Sequence, residues 1–212
     1  ERNGLAAATR AISCWGLRFF DYDSDGLADL LLANGHPDDM LDGSIQGVRY
    51  RQPPILFRNE RGRYRNVSAE AGPAFRKELS ARGLATGDLD NDGRVDVLLT
   101  NNGMPPTLLR NESGGGNHWL GVRLQGTGCN RDAVGALVSW SAGGVTRQRL
   151  KTGGGAYLSS HDPRLVLGLG GARRVDWVEV KWPRPRTRIE RFTGLRADGY
   201  VDLLEGTGQA PV

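Results

Sequence analysis

Short apolar runs, separated by turns rich in Gly, Asn and Asp, recur along the whole chain. Residues 175–183 alternate Val and Trp with charged side chains, which predicts a strand with one buried face and one wet face. Residues 30–33 and 97–100 are almost continuously apolar and short, which indicates strands buried on both faces. No segment keeps helical spacing over three turns. The pattern therefore predicts an all-β fold.

The first half of the chain repeats one unit of strands and turns. An acidic loop at residues 21–29 returns 67 residues later at residues 88–96, whereas residues 56–59 return only 52 residues later at residues 108–111. The difference of 15 residues sizes an insertion in the first unit, within the polar excursion at residues 36–54 that includes Asp42. Tandem units of about 50 residues with about four strands each are typical of β-propeller blades.

The candidate chemistry lies in the two acidic loops. Each has Asp at positions 1, 3, 5 and 9 and Gly at position 6. Calcium takes about six to eight oxygen ligands in a tolerant geometry, and carboxylates this close would repel one another without a counter-ion. An Asp-Gly hairpin turn without metal needs only one Asp, so we predict two Ca²⁺ sites. The predicted ligands, with the backbone carbonyl at position 7, are Asp21, Asp23, Asp25, Leu27 and Asp29, and Asp88, Asp90, Asp92, Arg94 and Asp96.

The EF-hand is the main rival for this loop sequence. An EF-hand needs a Glu at position 12 and a helix on each side. Position 12 is Leu32 in the first loop and Leu99 in the second, and an apolar run follows each loop. We therefore predict that each loop joins two strands, with Asp29 or Asp96 in place of the missing Glu.

Charge is distributed unevenly along the 212 residues. The net charge of +4 divides into −2 for residues 1–112 and +6 for residues 113–212, and 25 of the 28 cations are Arg. A basic half of this kind can meet an acidic surface, a carbohydrate or nucleic acid. No nucleic-acid-binding motif accompanies the charge, so a solvated Arg-rich surface is the favoured interpretation and no nucleic-acid partner is expected.

No run of 18 apolar residues is present, so the sequence predicts no membrane span. The chain starts at Glu1 without a basic and then apolar leader, and a removed signal peptide remains an open alternative. Cys14 and Cys129 lack metal-binding spacing. A disulfide between them is one alternative, and two buried free thiols are the favoured one.

Nothing in the sequence forms a convincing catalytic set. His36, His118 and His161 are interpreted as structural or exposed, and residues 159–162 (Ser-Ser-His-Asp) are adjacent, whereas a catalytic relay converges from separate segments. Asn130, Arg131 and Asp132 are the strongest polar candidates outside the loops. They either cap a turn, with Arg131 paired to a carboxylate, or contact a ligand, with Arg131 forking onto a carboxylate or sulfate.

The two acidic loops, each between a leading and a trailing strand, resemble FG-GAP/VCBS repeats over residues 11–112. These are the calcium-loop blades of integrin α-subunit propellers and of many secreted bacterial proteins. The resemblance implies propeller blades, bound Ca²⁺ and a secreted, extracellular or periplasmic location.

Residues 113–206 resemble the ASPIC/UnbV domain. The matching segments are residues 117–120, 130–136, 153–160, 168–170 and 180–183, and a flexible linker at residues 113–116 precedes them. The cartilage acidic protein family has this layout, in which propeller blades are followed by an ASPIC/UnbV domain. Arg184-Pro185-Arg186 departs from the Ser-Gly usual at that corner. We therefore divide the chain into blades at residues 1–112 and a small antiparallel β-sandwich or barrel at residues 113–212.

These features predict a calcium-stabilised extracellular binding or scaffold protein without catalytic activity. Two alternatives stay open: an enzyme or enzyme subunit of enediyne-like natural-product biosynthesis, implied by the UnbV resemblance, and a structural subunit of a larger surface assembly. Two blades cannot close a propeller, whose rings have about four to eight blades. The chain is therefore expected either to be a fragment of a longer protein or to complete its ring with another chain.

Overall fold

The protein is all-β, as the hydrophobic pattern predicts. A computed structural model describes residues 3–40, 48–185 and 188–211; Asp42 and Arg186, singled out above, lie outside these ranges. Two short helical turns, α1 (Ala6–Thr9) and a 3-10 turn (Pro73–Arg76), accompany the strands. In this part of the chain no helix is long and apolar enough to cross a membrane.

The first half forms two antiparallel sheets. The strands are β1 (Cys14–Phe20), β2 (Asp29–Asn34), β3 (Ile55–Glu60), β4 (Arg63–Asn66), β5 (Ala81–Gly87), β6 (Asp96–Asn101) and β7 (Met104–Leu109). The first sheet has the order β1-β2-β3-β4 and the second the order β5-β6-β7. Within the described residues these sheets do not close into a ring, and the second has three strands instead of the expected four.

Each acidic loop connects the first two strands of its sheet. Phe20 pairs with Asp29 at the end of the β1–β2 ladder, and Gly87 pairs with Asp96 at the end of the β5–β6 ladder. The prediction that each loop joins two strands is therefore confirmed. The equivalent register places the two loops at equivalent corners of the two sheets.

The two sheets share one core. Phe20, Leu31, Leu84 and Leu99 are among its fully or almost fully buried side chains. Contact between the sheets is close at Gly16, where a Cβ atom would lie 2.6 Å from the Leu84 Cβ. Close packing at this point requires a residue without a side chain.

The second half contributes two further sheets. Their strands are β8 (His118–Gln125), β9 (Leu137–Ala142), β10 (Val145–Leu150), β11 (Leu165–Gly170), β12 (Trp177–Lys181), β13 (Ile189–Phe192) and β14 (Tyr200–Leu204). One sheet has the order β10-β9-β12-β13 and the other β11-β8-β14, in which β14 runs parallel to β8. Alternate residues of both sheets share a core with Trp140 and Trp182 at its centre.

The two cysteines are free thiols. Cys14 is exposed and Cys129 is half-buried. The favoured interpretation of two buried thiols is therefore wrong for Cys14, which starts the edge strand β1 where the pairing with β2 is irregular.

Candidate functional site

The two acidic loops have the same backbone conformation. Position 4 is left-handed in both, with φ of 57° at Ser24 and 61° at Asn91, and position 6 has φ of 87° at Gly26 and 84° at Gly93. Glycine adopts positive φ without steric penalty. The glycine at position 6 therefore lets the chain turn back, and this brings the carboxylates of each loop together.

The first carboxylate of each loop holds the turn from inside. Asp21 Oδ2 and Asp88 Oδ2 each accept a 2.8 Å hydrogen bond from the backbone N–H of the position-6 glycine. The position-5 carboxylates instead fold onto their own loop, since Asp25 Oδ1 and Asp92 Oδ1 accept the N–H of position 7. Position 5 therefore shapes the loop in both copies.

The position-9 carboxylate joins each loop to the neighbouring strand. Asp29 accepts the N–H of Tyr22 at 3.1 Å and the N–H of Asn59 at 2.8 Å. Asp96 makes the equivalent bonds with Leu89 at 3.2 Å and Asn111 at 2.8 Å. Both carboxylates are buried, so they need these donors whatever else they bind.

The position-3 carboxylate meets an arginine in both copies. Arg58 Nη2 lies 2.8 Å from Asp23 Oδ2, and Arg110 Nη2 lies 2.6 Å from Asp90 Oδ2. Both arginines precede the asparagine that donates to position 9. The Arg-Asn pair repeated in the sequence is thus the partner of the acidic loop, a role that the sequence analysis did not assign to it.

Three carboxylates converge in each loop and could hold a metal ion. Each residue of a trio offers one oxygen, and the three oxygens lie within 4.8 Å of one another. Positions 1, 3 and 9 form the trios, and the predicted ligands at position 5 lie outside them. The trios are Asp21, Asp23 and Asp29, and Asp88, Asp90 and Asp96. The predicted backbone ligands Leu27 and Arg94 lie two residues after position 5, and Arg94 also pairs with Asp92 through its side chain.

Burial disfavours the charged forms of two carboxyl groups in the first loop. Asp21 is 4% exposed, and its Oδ1 has no hydrogen-bond partner among the described residues. Burial raises the pKa of Asp21 to about 7, against the opposing effect of Arg149. Burial also raises the pKa of Asp29 to about 8, although two backbone N–H groups favour its charged form. An oxygen-rich site with a free buried oxygen fits a bound cation.

The C-terminal sheets close directly over the first loop. Gly170 donates its N–H to Ser24 O at 2.9 Å, and Arg147 Nη2 donates to Asp25 O at 3.0 Å. A Cβ at Gly168 would lie 1.9 Å from Asp21 Oδ2. Strand β11 therefore approaches the first carboxylate as closely as a backbone can.

The second loop is covered by three large side chains of the same half. The Tyr200 hydroxyl donates to Asp88 Oδ2 at 2.5 Å, and Arg164 Nη2 donates to Asp88 O at 2.8 Å. The Trp119 ring packs on Gly93, where a Cβ would lie 2.0 Å from the ring. Both loops are thus enclosed between the two halves, but among the described residues only the second receives a hydroxyl at position 1.

Among the described residues, the other candidates named from the sequence do not contact the carboxylate trios. Asn130 caps a turn, since its Oδ1 accepts the Val134 N–H at 2.8 Å and its Nδ2 donates to Val134 O at 2.9 Å. Arg131 is exposed, and Asp132 lies at the edge of a polar cavity. His118 contacts Asp198, and His161 faces that same cavity.

The contacts between the halves are what sequence reasoning missed. Arg164, Tyr200 and Gly168 lie more than 70 residues from the loop atoms that they approach. A sequence signal existed only for Arg58 and Arg110, because residues 56–59 and 108–111, which contain them, repeat one another.

The family that matches this chain covers a segment in its second half. Residues 126–210 match the protein family described as ASPIC and UnbV. Cartilage acidic protein 1 of Homo sapiens is 30% identical over 184 residues, which cover 82% of this chain and 28% of the human protein. The proteins of that name from Xenopus tropicalis and Mus musculus are 28% and 27% identical, and the matches again cover 82% of this chain and 28% of the relative.

The match covers 82% of this chain, so it extends well beyond residues 126–210. The chain spans only 28% of the length of these relatives. Together the comparisons support a relationship of this chain to the ASPIC and UnbV family.

Proposed function

We propose that this protein is a calcium-binding extracellular binding or scaffold protein without catalytic activity. In this proposal residues 1–112 are two FG-GAP/VCBS-type propeller blades, and residues 113–212 are an ASPIC/UnbV-type β domain. Asp21 carries the proposal. Its buried Oδ1 has no partner in the described structure, and it lies in a trio of carboxylates.

The chemistry of the donors favours Ca²⁺ over other metals. Each trio consists of carboxylate oxygens only. Zinc prefers nitrogen and sulfur ligands, and Mg²⁺ requires a near-ideal octahedron that irregular loops seldom supply. Calcium accepts a variable number of oxygens, including backbone carbonyls. Asp21, Asp23 and Asp29 would hold the first ion, and Asp88, Asp90 and Asp96 the second.

Calcium would stabilise the packing of the two halves. Asp21 and Asp88 are buried under the C-terminal sheets, where an unneutralised charge is unfavourable. An ion that binds only the folded state raises the free energy of unfolding by mass action. The positive charge that it supplies would allow β11 and β14 to stay close to the loops.

An extracellular setting fits this use of calcium. Sites of extracellular modules are typically filled at about 0.1–1 mM Ca²⁺. The relatives carry the name cartilage acidic protein 1, which fits a protein that acts outside cells. Two blades leave a ring incomplete, so further blades or a partner protein would cover the open sides.

Elemental analysis with thermal unfolding tests the proposal. The purified protein should contain about two calcium ions per chain, and EDTA should lower its melting temperature, which added Ca²⁺ then restores and equimolar Mg²⁺ does not. Protein without bound metal, whose melting curve is the same in EDTA and in Ca²⁺, would disprove it. The Arg58→Gln variant separates the two sites, because Arg58 contacts Asp23 and Asp25 of the first loop, whereas the second loop is contacted by Arg110.

A further inference from the structure

The polar cavity lined by Asp132 and His161 lies between β1 and the C-terminal half, away from the loop carboxylates. Its volume is about 160 Å³, enough for a small group of atoms. The side chains that bear on its chemistry are Arg18, Asp132, Lys151, His161 and Asp162. None of the carboxylates in the two acidic loops lines it, so its chemistry is separate from the proposed metal sites.

His161 presents a buried N–H to this region. Its Nδ1 accepts the backbone N–H of Thr86 at 3.2 Å, and a neutral imidazole that accepts at one nitrogen carries its proton on the other. Nε2 is therefore the donor, and it is buried with no acceptor among the residues that the structure describes. Burial, with Arg18 and Lys151 nearby, lowers the pKa of His161 to about 4, so the ring is neutral at physiological pH.

Arg18 brings a second donor to the same place. The Nε of Arg18 is buried and also lacks a partner within the described ranges. Gly155 shows that the two side chains converge, because a Cβ there would lie 3.1 Å from Arg18 Nη1 and 3.4 Å from His161 Nε2. Two buried donors without acceptors in one region are rare in folded proteins.

The charges around the cavity leave one excess positive charge. Arg18 and Lys151 are cationic, and Lys151 is only 5% exposed. Asp162 is already held by Arg164, whose Nε and Nη2 donate to its carboxylate at 2.6–3.1 Å. Asp132, which is exposed, is the remaining anion. A buried cation in excess is unfavourable unless an anion joins it.

We propose that this cavity binds the carboxylate of a small monoanionic ligand, held by Arg18 and His161 with Lys151 nearby. A carboxylate offers two coplanar oxygens, which suit the planar guanidinium of Arg18 and one further N–H. A single negative charge balances the excess, whereas a phosphate dianion exceeds it. The same group can come from a free carboxylic acid or from an Asp or Glu side chain of another protein.

Calorimetric titration of the calcium-loaded full chain tests this proposal. The probes are sodium acetate, N-acetyl-aspartyl amide and sodium phosphate, at constant ionic strength. Acetate should bind, and phosphate should bind more weakly. Binding of the blocked aspartate at least as tight as that of acetate identifies a protein side chain as the ligand, and binding of acetate alone identifies a free acid.

A variant that binds acetate more tightly distinguishes a specific effect on the cavity from misfolding. Asp132→Asn removes the competing anion, so acetate should bind about three- to tenfold more tightly, whereas a misfolded variant would lose binding. Arg18→Gln should weaken binding at least about tenfold. Asp39→Asn and Arg63→Gln, which change exposed charges elsewhere, should leave it unchanged.

Three results would overturn the proposal. The first is that acetate gives no binding heat at millimolar concentration. The second is that phosphate binds more tightly than acetate, which removes the carboxylate assignment. The third is that the cavity variants bind acetate no differently from the two controls, which places any binding elsewhere.

Discussion

The Tyr200 hydroxyl donates a 2.5 Å hydrogen bond to Asp88 Oδ2, across 112 residues of chain. Burial, and after it Asp88, raises the pKa of the Tyr200 phenol, so the hydroxyl stays protonated and remains the donor. Asp21 occupies the same place in the other loop, where a Cβ on Gly168 would collide with it instead. The position-1 carboxylate is thus covered by a hydroxyl donor in the second loop and by closely packed backbone in the first.

Removing the Tyr200 hydroxyl should destabilise the protein. We expect Tyr200→Phe to lower the free energy of unfolding by about 1.5–3 kcal/mol, the usual range for a hydrogen bond to a charged group. Urea denaturation followed by fluorescence measures it. Tyr157→Phe, at an exposed tyrosine, is the control and should change stability by less than about 0.5 kcal/mol. Equal effects of the two variants would show that the hydroxyl does not support the loop.

Neutralising Asp21 should have opposite effects without and with calcium. In EDTA, Asp21→Asn removes a buried charge and should raise the free energy of unfolding by about 1–3 kcal/mol. In saturating Ca²⁺ the variant lacks a ligand, so the stabilisation that calcium adds should fall by about 2 kcal/mol or more. Urea denaturation in the two buffers measures both changes.

The exposed Asp38→Asn change is the matched control for Asp21→Asn. It should leave the response to calcium unchanged. If Asp21→Asn destabilises the protein equally in EDTA and in calcium, Asp21 has a structural role without a metal, and the first calcium site is wrong.

Sequence reasoning reached the strands and the loops because both depend on local patterns. The position-6 glycines and the apolar runs after the loops predict a turn between two strands. In the structure these turns connect β1 to β2 and β5 to β6. The sequence repeat also located the Arg-Asn pairs, one in β3 and one directly after β7. What each pair binds could not be predicted, because the carboxylates that they contact lie in the acidic loops, distant in sequence.

The enclosure of the loops by the C-terminal half could not be predicted from the sequence, because it depends on non-local contacts. Gly168 and Tyr200 reach the loops only after β11, β8 and β14 have assembled into one sheet. Nothing in their local sequence distinguishes a glycine that allows close approach from one in an ordinary strand. The cavity beside His161 is equally non-local, since Arg18 of β1 and Lys151 after β10 both line it.

Acid should destabilise the protein through His161. Its pKa is about 4 in the folded state against 6.5 for the free side chain, so the unfolded state takes up the proton first as the pH falls. The stability that the neutral His161 contributes is therefore lost from about pH 6.5 downward until about pH 4. Asp21 and Asp29, whose pKa values are raised, act in the opposite direction over an overlapping range, so the effect of His161 is measured as the difference between the variant and the unmodified chain. His161→Gln, which keeps an acceptor for Thr86 but cannot be protonated, should show a smaller loss between about pH 7 and about pH 5. Identical pH profiles of the midpoint of urea denaturation would contradict this.

The contact between the first two sheets should not tolerate a methyl group. A Cβ at Gly16 would lie 2.6 Å from Leu84 Cβ and 3.1 Å from Arg82 O. Gly16→Ala should lower the free energy of unfolding by about 1–3 kcal/mol, measured by urea denaturation. Gly114→Ala, where a Cβ meets nothing within 4 Å, is the matched control. A Gly16→Ala protein as stable as the control would show that the sheets separate easily.

Gly168 links the C-terminal sheets to the first loop, so its substitution should weaken calcium binding although no ligand residue is replaced. A Cβ there would lie 1.9 Å from Asp21 Oδ2 and 2.7 Å from the Gly26 nitrogen, and backbone atoms of this kind cannot move aside cheaply. Gly168→Ala should therefore lower calcium affinity at one of two sites at least about tenfold and lower the melting temperature. Gly171→Ala, three residues along the chain and open to solvent, should do neither. Calorimetric titration with calcium resolves the two sites. If Gly168→Ala binds both ions as tightly as the unmodified chain, the loop forms its site independently of the C-terminal half, and calcium does not stabilise the packing of the two halves.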